Sequence, residues 1–379
     1  MYIIHKKWSF YHNNSGGFMN LFRNISPIQG EVSVTGPKDS FIENIDTNIG
    51  LMKNRITNIK EDYITKGRFT NTKIVVLSID GITDKRLVNN IKRQISKINI
   101  DGIIDSSYLK YNLEKTEQLF PTIILTERPD KCEMALLDGK VVIIVDHSPY
   151  ALILPSFFID YFHTIDDYYQ KGIHVSFIRI IRLLAFLISI LTPALYIAVT
   201  TRNYNLIPMD LLLVLKAGRT FVPFPAYLEA IFMIICFEIL KESDLRMSVT
   251  NGSAVSILGG LILGDAAVAA GIVSPIMIIV IAISSISSFV FSSIEFIQVV
   301  RFYKIFLLLL SSLLGIVGVI LGVIYLLWNI INTDCFGYPY FYPIIPFSKN
   351  TLLDSFIKKD SNDRYRNNLL TNNHYRGRL

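Results

Sequence analysis

Cysteine is scarce in this chain of 379 residues: Cys132, Cys236 and Cys335 lie far apart and share no C-x-x-C spacing. Such usage argues against a disulfide framework or a zinc site and fits a reducing compartment. The first twenty residues also lack the apolar core of a secretory signal, so we expect the N-terminus to stay inside the cell. The formal charge of +6 is spread thinly, without the aromatic-rich basic block of a nucleic-acid surface.

Catalytic signatures are missing as well. The sequence has no P-loop, no Rossmann glycine pattern, no H-E-x-x-H and no G-x-S-x-G. Its six histidines are scattered, and the stretch 163–167 offers no distant metal ligand. We therefore predict that the protein is not an enzyme and that it has no catalytic residue, no metal and no cofactor.

The chain is, by contrast, rich in hydrophobic residues. Hydrophobic residues make up 51% of it, and the mean hydropathy is +0.41. Both values exceed those of a typical soluble protein. We predict an α+β membrane protein, in which a cytoplasmic α/β domain precedes a polytopic α-helical transmembrane domain. The predicted parts are an irregular segment (1–40), the soluble domain (41–176), the transmembrane domain (177–331) and a basic C-terminal tail (332–379).

Periodicity predicts the elements of the soluble domain. Apolar residues at spacings of three and four indicate helices over 41–56 and 84–98. Short β-branched runs indicate strands at 73–80, 122–126 and 141–146. Strands that alternate with helices imply a small α/β layer domain. A further helix near the membrane surface is predicted over 158–172.

Five apolar stretches are long enough to cross a bilayer core of about 30 Å. They are 183–200, 222–240, 252–271, 273–294 and 303–331, and the shorter 208–219 is predicted to be interfacial or re-entrant. Lys171, Arg179 and Arg182 precede the first stretch, and only Arg202 follows it closely, which places the soluble domain in the cytoplasm. The basic tail also favours that side. Five crossings are odd, so either 208–219 forms part of a crossing or one long stretch is re-entrant.

Six motifs occur in a fixed order along the chain. They are "LLDGKVVIIVDHSPYALILP" (136–155), "DYFHTIDDYY" (160–169), "LTPALYIAVTTRNYNLIP" (191–208), "VPFPAYLEA" (222–230), "ILGGLILGDAAVAAGIVSP" (257–275) and "FGYPYFYPIIPF" (336–347). Together they closely resemble the A subunit of GerA-type nutrient germinant receptors of endospore-forming bacteria. The likeness runs from about residue 36 to about residue 350.

The resemblance implies a multi-pass subunit of the spore inner membrane, with its soluble domain on the core side. It implies a transporter-like B subunit that binds nutrients and a lipoprotein C subunit as partners. It further implies homo-oligomerisation into a nutrient-gated ion channel, contact with membrane lipid and no contact with nucleic acid. A non-conducting scaffold subunit and a sporulation-stage relative of the AF type stay open as alternatives. Family members carry a longer region before the match than the roughly forty residues here.

Asp265 is the conspicuous polar residue of the apolar region. A charge at mid-bilayer costs at least ~2.5 kcal/mol on insertion scales. Small residues spaced along one helical stripe predict a packing face: Gly252, Ser256, Gly260, Gly264, Ala267 and Gly271. Asp265 projects about 150° from the centre of that stripe, by the 3.6-residue period. It therefore either bonds a neighbouring group or faces a water-lined ion path.

Glu229 and Arg219 are further candidates for this path. Glu229 follows Pro223 and Pro225 at the start of a predicted helix, where the helix dipole stabilises an acid. Arg219 is close enough in sequence to pair with it. The serines of 282–294 either line a polar path or bond helix backbone, and the second is the commoner behaviour. Helix breaks are predicted at Pro193, Pro223, Pro225 and Pro275.

Overall fold

The structure, a computed structural model, describes residues 30–31, 35–246, 260, 264–358 and 369–371. Five strands form the sheet of the N-terminal domain: β1 (Ile59–Lys66), β2 (Thr72–Ile79), β3 (Ile124–Thr126), β4 (Val141–Val145) and β5 (Ala151–Leu154). Their order across the sheet is β1-β2-β4-β5-β3. Every neighbouring pair is antiparallel.

Helices cover both faces of this sheet, because its central strands are apolar on both sides. The helices are α1 (Ile45–Arg55), α2 (Lys85–Lys97), α3 (Ser106–Leu113) and α4 (Pro129–Leu137). Successive side chains of a strand point to opposite faces. Val75 and Leu77 accordingly pack in the cluster that contains α1 and α4, whereas Ile74 and Val76 pack with α2 and α3.

The helices and strands that the sequence predicts in this domain are present at 41–56, 73–80, 84–98, 122–126 and 141–146, with small shifts of their ends. Sequence reasoning missed β1, β5, α3 and α4. β1 is a polar edge strand that exposes alternate side chains. β5 has only four residues and lies between two prolines. β1 therefore lacks the apolar run that marks a buried strand, and the apolar run of β5 is only four residues long.

The predicted helix over 158–172 is wrong. The chain forms a 3₁₀ turn at Phe158–Phe162 and a separate four-residue helix, α5 (Asp166–Tyr169). Two carboxylates interrupt the helix. Asp160 accepts the backbone N–H of Phe157 at 2.7 Å, and Asp167 accepts the hydroxyl of Thr164 at 3.1 Å. Such local bonds compete with helix formation.

After α5 the chain is mainly helical. The longer helices are α6 (Gly172–Ile197), α7 (Met209–Ala217), α8 (Ala226–Arg246), α9 (Pro275–Ser288), α10 (Ile294–Leu314) and α11 (Ile316–Asn332). A π-helical turn at Ala198–Arg202 extends α6. Residues 264–269 are also helical. Two helices are long and apolar enough to cross a membrane, Gly172–Arg202 and Ile294–Leu314, whereas Pro275–Ser288 and Ile316–Asn332 are apolar but shorter.

The helices form a bundle with two distinct ends. At the near end, which contacts the soluble domain, Lys110 bonds Glu295 at the start of α10. Phe162 packs there against Phe291, just after α9. At the far end, Asn203 accepts the backbone N–H of Ile316 at 3.1 Å. This bond joins the end of α6 to the start of α11.

One predicted crossing, 303–331, is wrong because the chain turns back in its middle. Gly315 adopts a φ of +64°, and α10 and α11 pack side by side as a helical hairpin. Asn329 donates to the hydroxyl of Tyr303 at 2.7 Å across this hairpin. Gly318 allows the close approach, since a Cβ there would lie 2.2 Å from the carbonyl oxygen of Leu310.

The helix break predicted at Pro193 is also wrong, because α6 continues through it to Ile197. Proline has no N–H for the carbonyl four residues earlier, which here belongs to Ser189. The hydroxyl of Ser284 on α9 donates to that carbonyl at 2.7 Å. A neighbouring helix thus satisfies the backbone group that proline leaves unpaired.

The segment after α11 returns to the soluble domain. Two short strands, β6 (Asp334–Cys335) and β7 (Tyr338–Pro339), pair there, and α12 (Lys349–Phe356) follows. The Cys335 thiol lies 3.1 Å from the carbonyl oxygen of Ser156. Asn90 donates to the carbonyl of Phe336 at 3.1 Å. The predicted basic tail therefore begins with a folded segment that packs on the soluble domain.

Candidate functional site

Glu229, whose side chain is 0% exposed, is a fully buried carboxylate of the bundle. It lies in the first turn of α8, which begins directly after Pro225. Arg219 donates to its Oε1 at 2.8 Å. The backbone N–H and the hydroxyl of Ser274 both donate to its Oε2, each at 3.1 Å. The structure thus contains the ion pair of Arg219 with Glu229, which joins the loop before α8 to its first turn, and the bonds from Ser274 join that turn to the start of α9.

Asp265 occupies a different environment, because its side chain is exposed in the single chain. Ala267, two residues on, is buried in a cluster with Val273 and Met277. One side of this short helical stretch therefore packs inside the chain while the carboxylate points away from it. Among the described residues, no hydrogen bond or ion pair joins Asp265 to Glu229 or Arg219.

The predicted small-residue stripe is partly described. Gly252 and Ser256 lie outside the described residues. A Cβ on Gly260 or Gly264 would meet no atom within 4 Å. At Gly271, with a φ of +64°, a Cβ would lie 3.2 Å from the carbonyl oxygen of Phe221. The stripe thus packs inside the chain at its C-terminal end, and around Gly260 and Gly264 it leaves room.

The remaining predicted positions are the prolines at helix breaks and the serines of 282–294. Pro225 precedes α8 and Pro275 is the first residue of α9, whereas Pro223 lies in the loop before α8. Ser288 donates to the carbonyl of Ser285 at 2.6 Å. With the bond of Ser284 to α6, this confirms that serines of 282–294 bond helix backbone.

A second charged cluster joins the soluble domain to α6. Asp167 accepts from Arg179 Nε at 3.0 Å and from Arg182 Nη1 at 2.9 Å. The three side chains are 3%, 8% and 10% exposed. Arg182 also donates to the carbonyl of Phe162 at 2.9 Å and to the hydroxyl of Thr164 at 2.9 Å. Arg179 and Arg182, from which the sequence predicts the side of the membrane, therefore also hold the soluble domain against α6.

Sequence reasoning missed this cluster, although a signal was present. Asp167 follows Asp166 in a short polar stretch, and Arg179 and Arg182 are three residues apart, on one face of a helix. An acid just upstream of such a pair on an apolar helix predicts a buried ion pair. Five phenylalanines pack beside it at the near end: Phe158, Phe162, Phe186, Phe291 and Phe296.

The cluster shifts the pKa values of its titratable groups. Burial alone would raise the pKa of Asp167, but the hydrogen bonds of Arg182 and the charges of both arginines lower it. Burial, aided by the charge of Arg179, lowers the pKa of His163 to about 3. His163 is thus neutral, and its Nε2 lies 2.8 Å from the carbonyl oxygen of Ser355 on α12.

The bundle holds further charged side chains. Glu238 on α8 pairs with Arg301 on α10 at 2.6 Å. Lys304, one turn farther along α10, is only 1% exposed. Within the described part of the chain, no group of three or more His, Cys, Asp or Glu side chains could hold a metal ion.

The chain matches the family described as Bacillus/Clostridium GerA spore germination protein over residues 19–368. It is similar to spore germination protein KA of Bacillus subtilis (strain 168), with 39% identity over 89% of this chain and 62% of that protein. Spore germination protein GerQA of Bacillus cereus is 33% identical over 94% of this chain and 72% of the relative. The chain therefore spans about three fifths of the length of the first relative.

Among solved structures, the chain is similar to the N-terminal domain of the A subunit of the Bacillus megaterium spore germinant receptor GerK3. The identity is 34% and the TM-score is 0.27, over 34% of this chain and 51% of that one. The family match covers far more of the chain and includes all six ordered motifs. The chain belongs to the GerA family of spore germination proteins.

Proposed function

We propose that this chain is the A subunit of a nutrient germinant receptor in the spore inner membrane. The family match over residues 19–368 carries this proposal. The names of the relatives, which are spore germination proteins, support the same role. A transporter-like B subunit and a lipoprotein C subunit are the proposed partners, and nutrient binding is assigned mainly to the B subunit.

The proposed subunit crosses the membrane six times. The described helices α6, α8, α9, α10 and α11 each run between the two ends of the bundle. Both α8 and α9 run from the far end to the near end, since Glu229 bonds Ser274 at their starts and Lys241 lies 4.6 Å from the ring of Phe289 at their other ends. The proposed sixth crossing is the one that the sequence predicts over 252–271, most of which lies outside the described residues.

Six crossings would give the even number that a common side for the soluble domain and the basic tail requires. The hairpin at Gly315 turns one predicted crossing into two, so the soluble domain and the C-terminal segment lie on the same side. The lengths are compatible with a thinned or partly covered bilayer, because α9 and α11 span only ~21 and ~25 Å at 1.5 Å per residue. Basic residues before α6 favour the core side for the soluble domain.

The proposed activity is ion conduction by an oligomer of the chain. Support comes from Asp265, which is exposed in the single chain, and from the open space at Gly260 and Gly264. A second copy could approach closely at these glycines. The ring of carboxylates that results would favour cations at a narrow place in the path.

The test is Asp265→Asn, which keeps the shape and removes the charge. In liposomes that contain the assembled receptor, we expect lower cation preference with unchanged assembly. A cysteine at position 265 should react with water-soluble thiol reagents in the open state. Unchanged flux and selectivity, together with an unreactive cysteine, would refute an ion path at this residue.

A second candidate function is a scaffold that holds the receptor together and conducts nothing. The three hydrogen bonds that Glu229 accepts from Arg219 and Ser274 favour the scaffold function for this ion pair, since they satisfy the carboxylate within the chain. Measuring the size of the detergent-solubilised protein with and without its partners separates the two functions. A ring-sized homo-oligomer that conducts in a planar bilayer supports the channel, and the absence of conductance in every oligomeric state supports the scaffold.

A further inference from the structure

A cavity of about 350 Å³ lies where the soluble domain meets the first turns of α10. The soluble domain lines it with Tyr111, Glu114 and Leu119, and α10 lines it with Glu295 and Phe302. Its volume falls within the range of small-molecule sites, roughly 300–1,000 Å³. The cavity is distinct from the proposed ion path, which involves the far end and the surface around Asp265.

The charges around this cavity do not balance. Lys110 bonds Glu295, and Lys115 on the rim pairs with Asp334 at 2.7 Å. Among the described residues, Glu114 forms no such ion pair. Its Oε1 accepts the backbone N–H groups of Thr122 at 2.8 Å and Ile123 at 3.0 Å. The described groups at the cavity therefore leave one net negative charge.

Desolvation makes this carboxylate costly. Burial raises the pKa of Glu114, and the charge of Lys110 only partly offsets that effect. A cation in the cavity would relieve the cost, since an opposite charge stabilises a desolvated carboxylate. The two backbone N–H donors fix one oxygen, so the side chain is already held in place for such a ligand.

The other walls are apolar and aromatic. Tyr111 is 71% exposed, and Leu119 and Phe302 are each 44% exposed. Aromatic rings attract ammonium groups through their electron-rich faces. Phe302 belongs to a helix that is long and apolar enough to cross a membrane, so the cavity opens close to the expected bilayer surface.

We propose that this cavity binds a small organic cation, an ammonium group with a short apolar body, with the ammonium at Glu114 and the apolar body against Tyr111, Leu119 and Phe302. Two sources share this chemistry: a free alkylamine, and the amine headgroup of a membrane lipid. Inorganic cations lack the apolar body that would pack against Leu119 and the aromatic walls.

The test measures thermal unfolding of the full chain in lipid-free detergent micelles, with n-butylammonium chloride as the probe. Sodium butyrate and sodium chloride at the same ionic strength are the comparison salts. Ligand that binds only the folded state raises the unfolding midpoint in proportion to its occupancy. We expect butylammonium to raise the midpoint in a saturable way and the two sodium salts to have no comparable effect.

Glu114→Gln is the informative variant, because the amide oxygen can still accept the two backbone N–H groups. We expect butylammonium affinity to fall on the order of tenfold or more, the usual effect of losing a charged hydrogen-bond partner. Glu117→Gln is the matched control, since Glu117 is exposed in the same loop and does not line the cavity. Gln298→Trp, which fills the cavity from α10, should also abolish the shift.

Nanodiscs separate the two sources. If a lipid amine is the ligand, discs that contain phosphatidylethanolamine should stabilise the wild type over discs of phosphatidylglycerol alone, and Glu114→Gln should lose that difference. If a free amine is the ligand, only butylammonium should stabilise, in both kinds of disc. The proposal fails if neither stabilises the protein, or if Glu114→Gln responds like the wild type.

Discussion

Asp167→Asn tests whether the soluble domain is joined to α6 by charge. Asparagine keeps the size of the side chain but removes the negative charge that both arginines share. Arg179 and Arg182, which are 8% and 10% exposed, would then lose the carboxylate that they share while staying buried. Removing one partner of a buried ion pair typically costs about 3–5 kcal/mol, mostly because the other charge is left unpaired.

The assay is chemical or thermal unfolding of the full chain in detergent, together with limited proteolysis of the segment before α6. We expect a loss of about 3 kcal/mol or more and faster cleavage between residues 163 and 172. Asp166→Asn is the matched control, because Asp166 lies next in sequence and bonds only Thr35 among the described residues. A loss below about 1 kcal/mol, the range of surface pairs, would refute the reasoning.

Three further predictions follow from the same contacts. His163→Gln should make the free energy of unfolding depend less on pH in acid. Wild-type His163 stays neutral in the folded protein, so below about pH 6.5 only the unfolded state gains a proton there. The free energy of unfolding of the wild type therefore falls by up to about 1.4 kcal/mol per pH unit in that range. Ser284→Ala should cost about 1–3 kcal/mol in the wild type and less in Pro193→Ala, where the helix pairs its own carbonyl. Gly318→Ala should cost about 1–3 kcal/mol through a clash with α10, and Gly264→Ala should not.

Each of these has a clear contrary result in urea or thermal unfolding. Equal slopes of stability against pH between 5 and 6.5 for the wild type and His163→Gln would mean that the imidazole is protonated in the fold. Equal costs of Ser284→Ala in both backgrounds would mean that the hydroxyl does not serve the carbonyl freed by Pro193. Equal effects at Gly318 and Gly264 would mean that the hairpin is looser than its backbone geometry indicates.

Sequence periodicity located the helices that bury one face and the strands that are buried on both faces. The helix of Leu87, Ile91 and Ile95 and the strand of Val141–Val145 have strong patterns, because a buried face must be apolar. The polar edge strand β1 has no such requirement. The separate helices α10 and α11 could not be told apart from composition, because both are apolar and only the φ of +64° at Gly315 ends the first.

The candidate site was less predictable for a related reason. A pairing of Arg219 with Glu229 was expected from ten residues of separation, but the two bonds from Ser274 depend on how α9 packs, 45 residues later. The role of Asp167 depends likewise on how α5 packs against α6, which brings Asp167 to Arg179 and Arg182. Tertiary contacts decide which charges are paired, and the sequence supplies only the charges.

The near end of the bundle is where the soluble domain can act on the bundle helices. It contacts α6 through Asp167 and α10 through Lys110 and Glu295, and the chain after α11 packs on it through Cys335. Movement of the domain must therefore displace the ends of three helices together. Since α6 is continuous through Pro193 and extends ~39 Å at 1.5 Å per residue, a displacement at its near end reaches Asn203 and the Gly315 turn. The helical stretch of Asp265, a group proposed for ion conduction, then responds through the cluster that contains Ala267 and Ile197 at the end of α6.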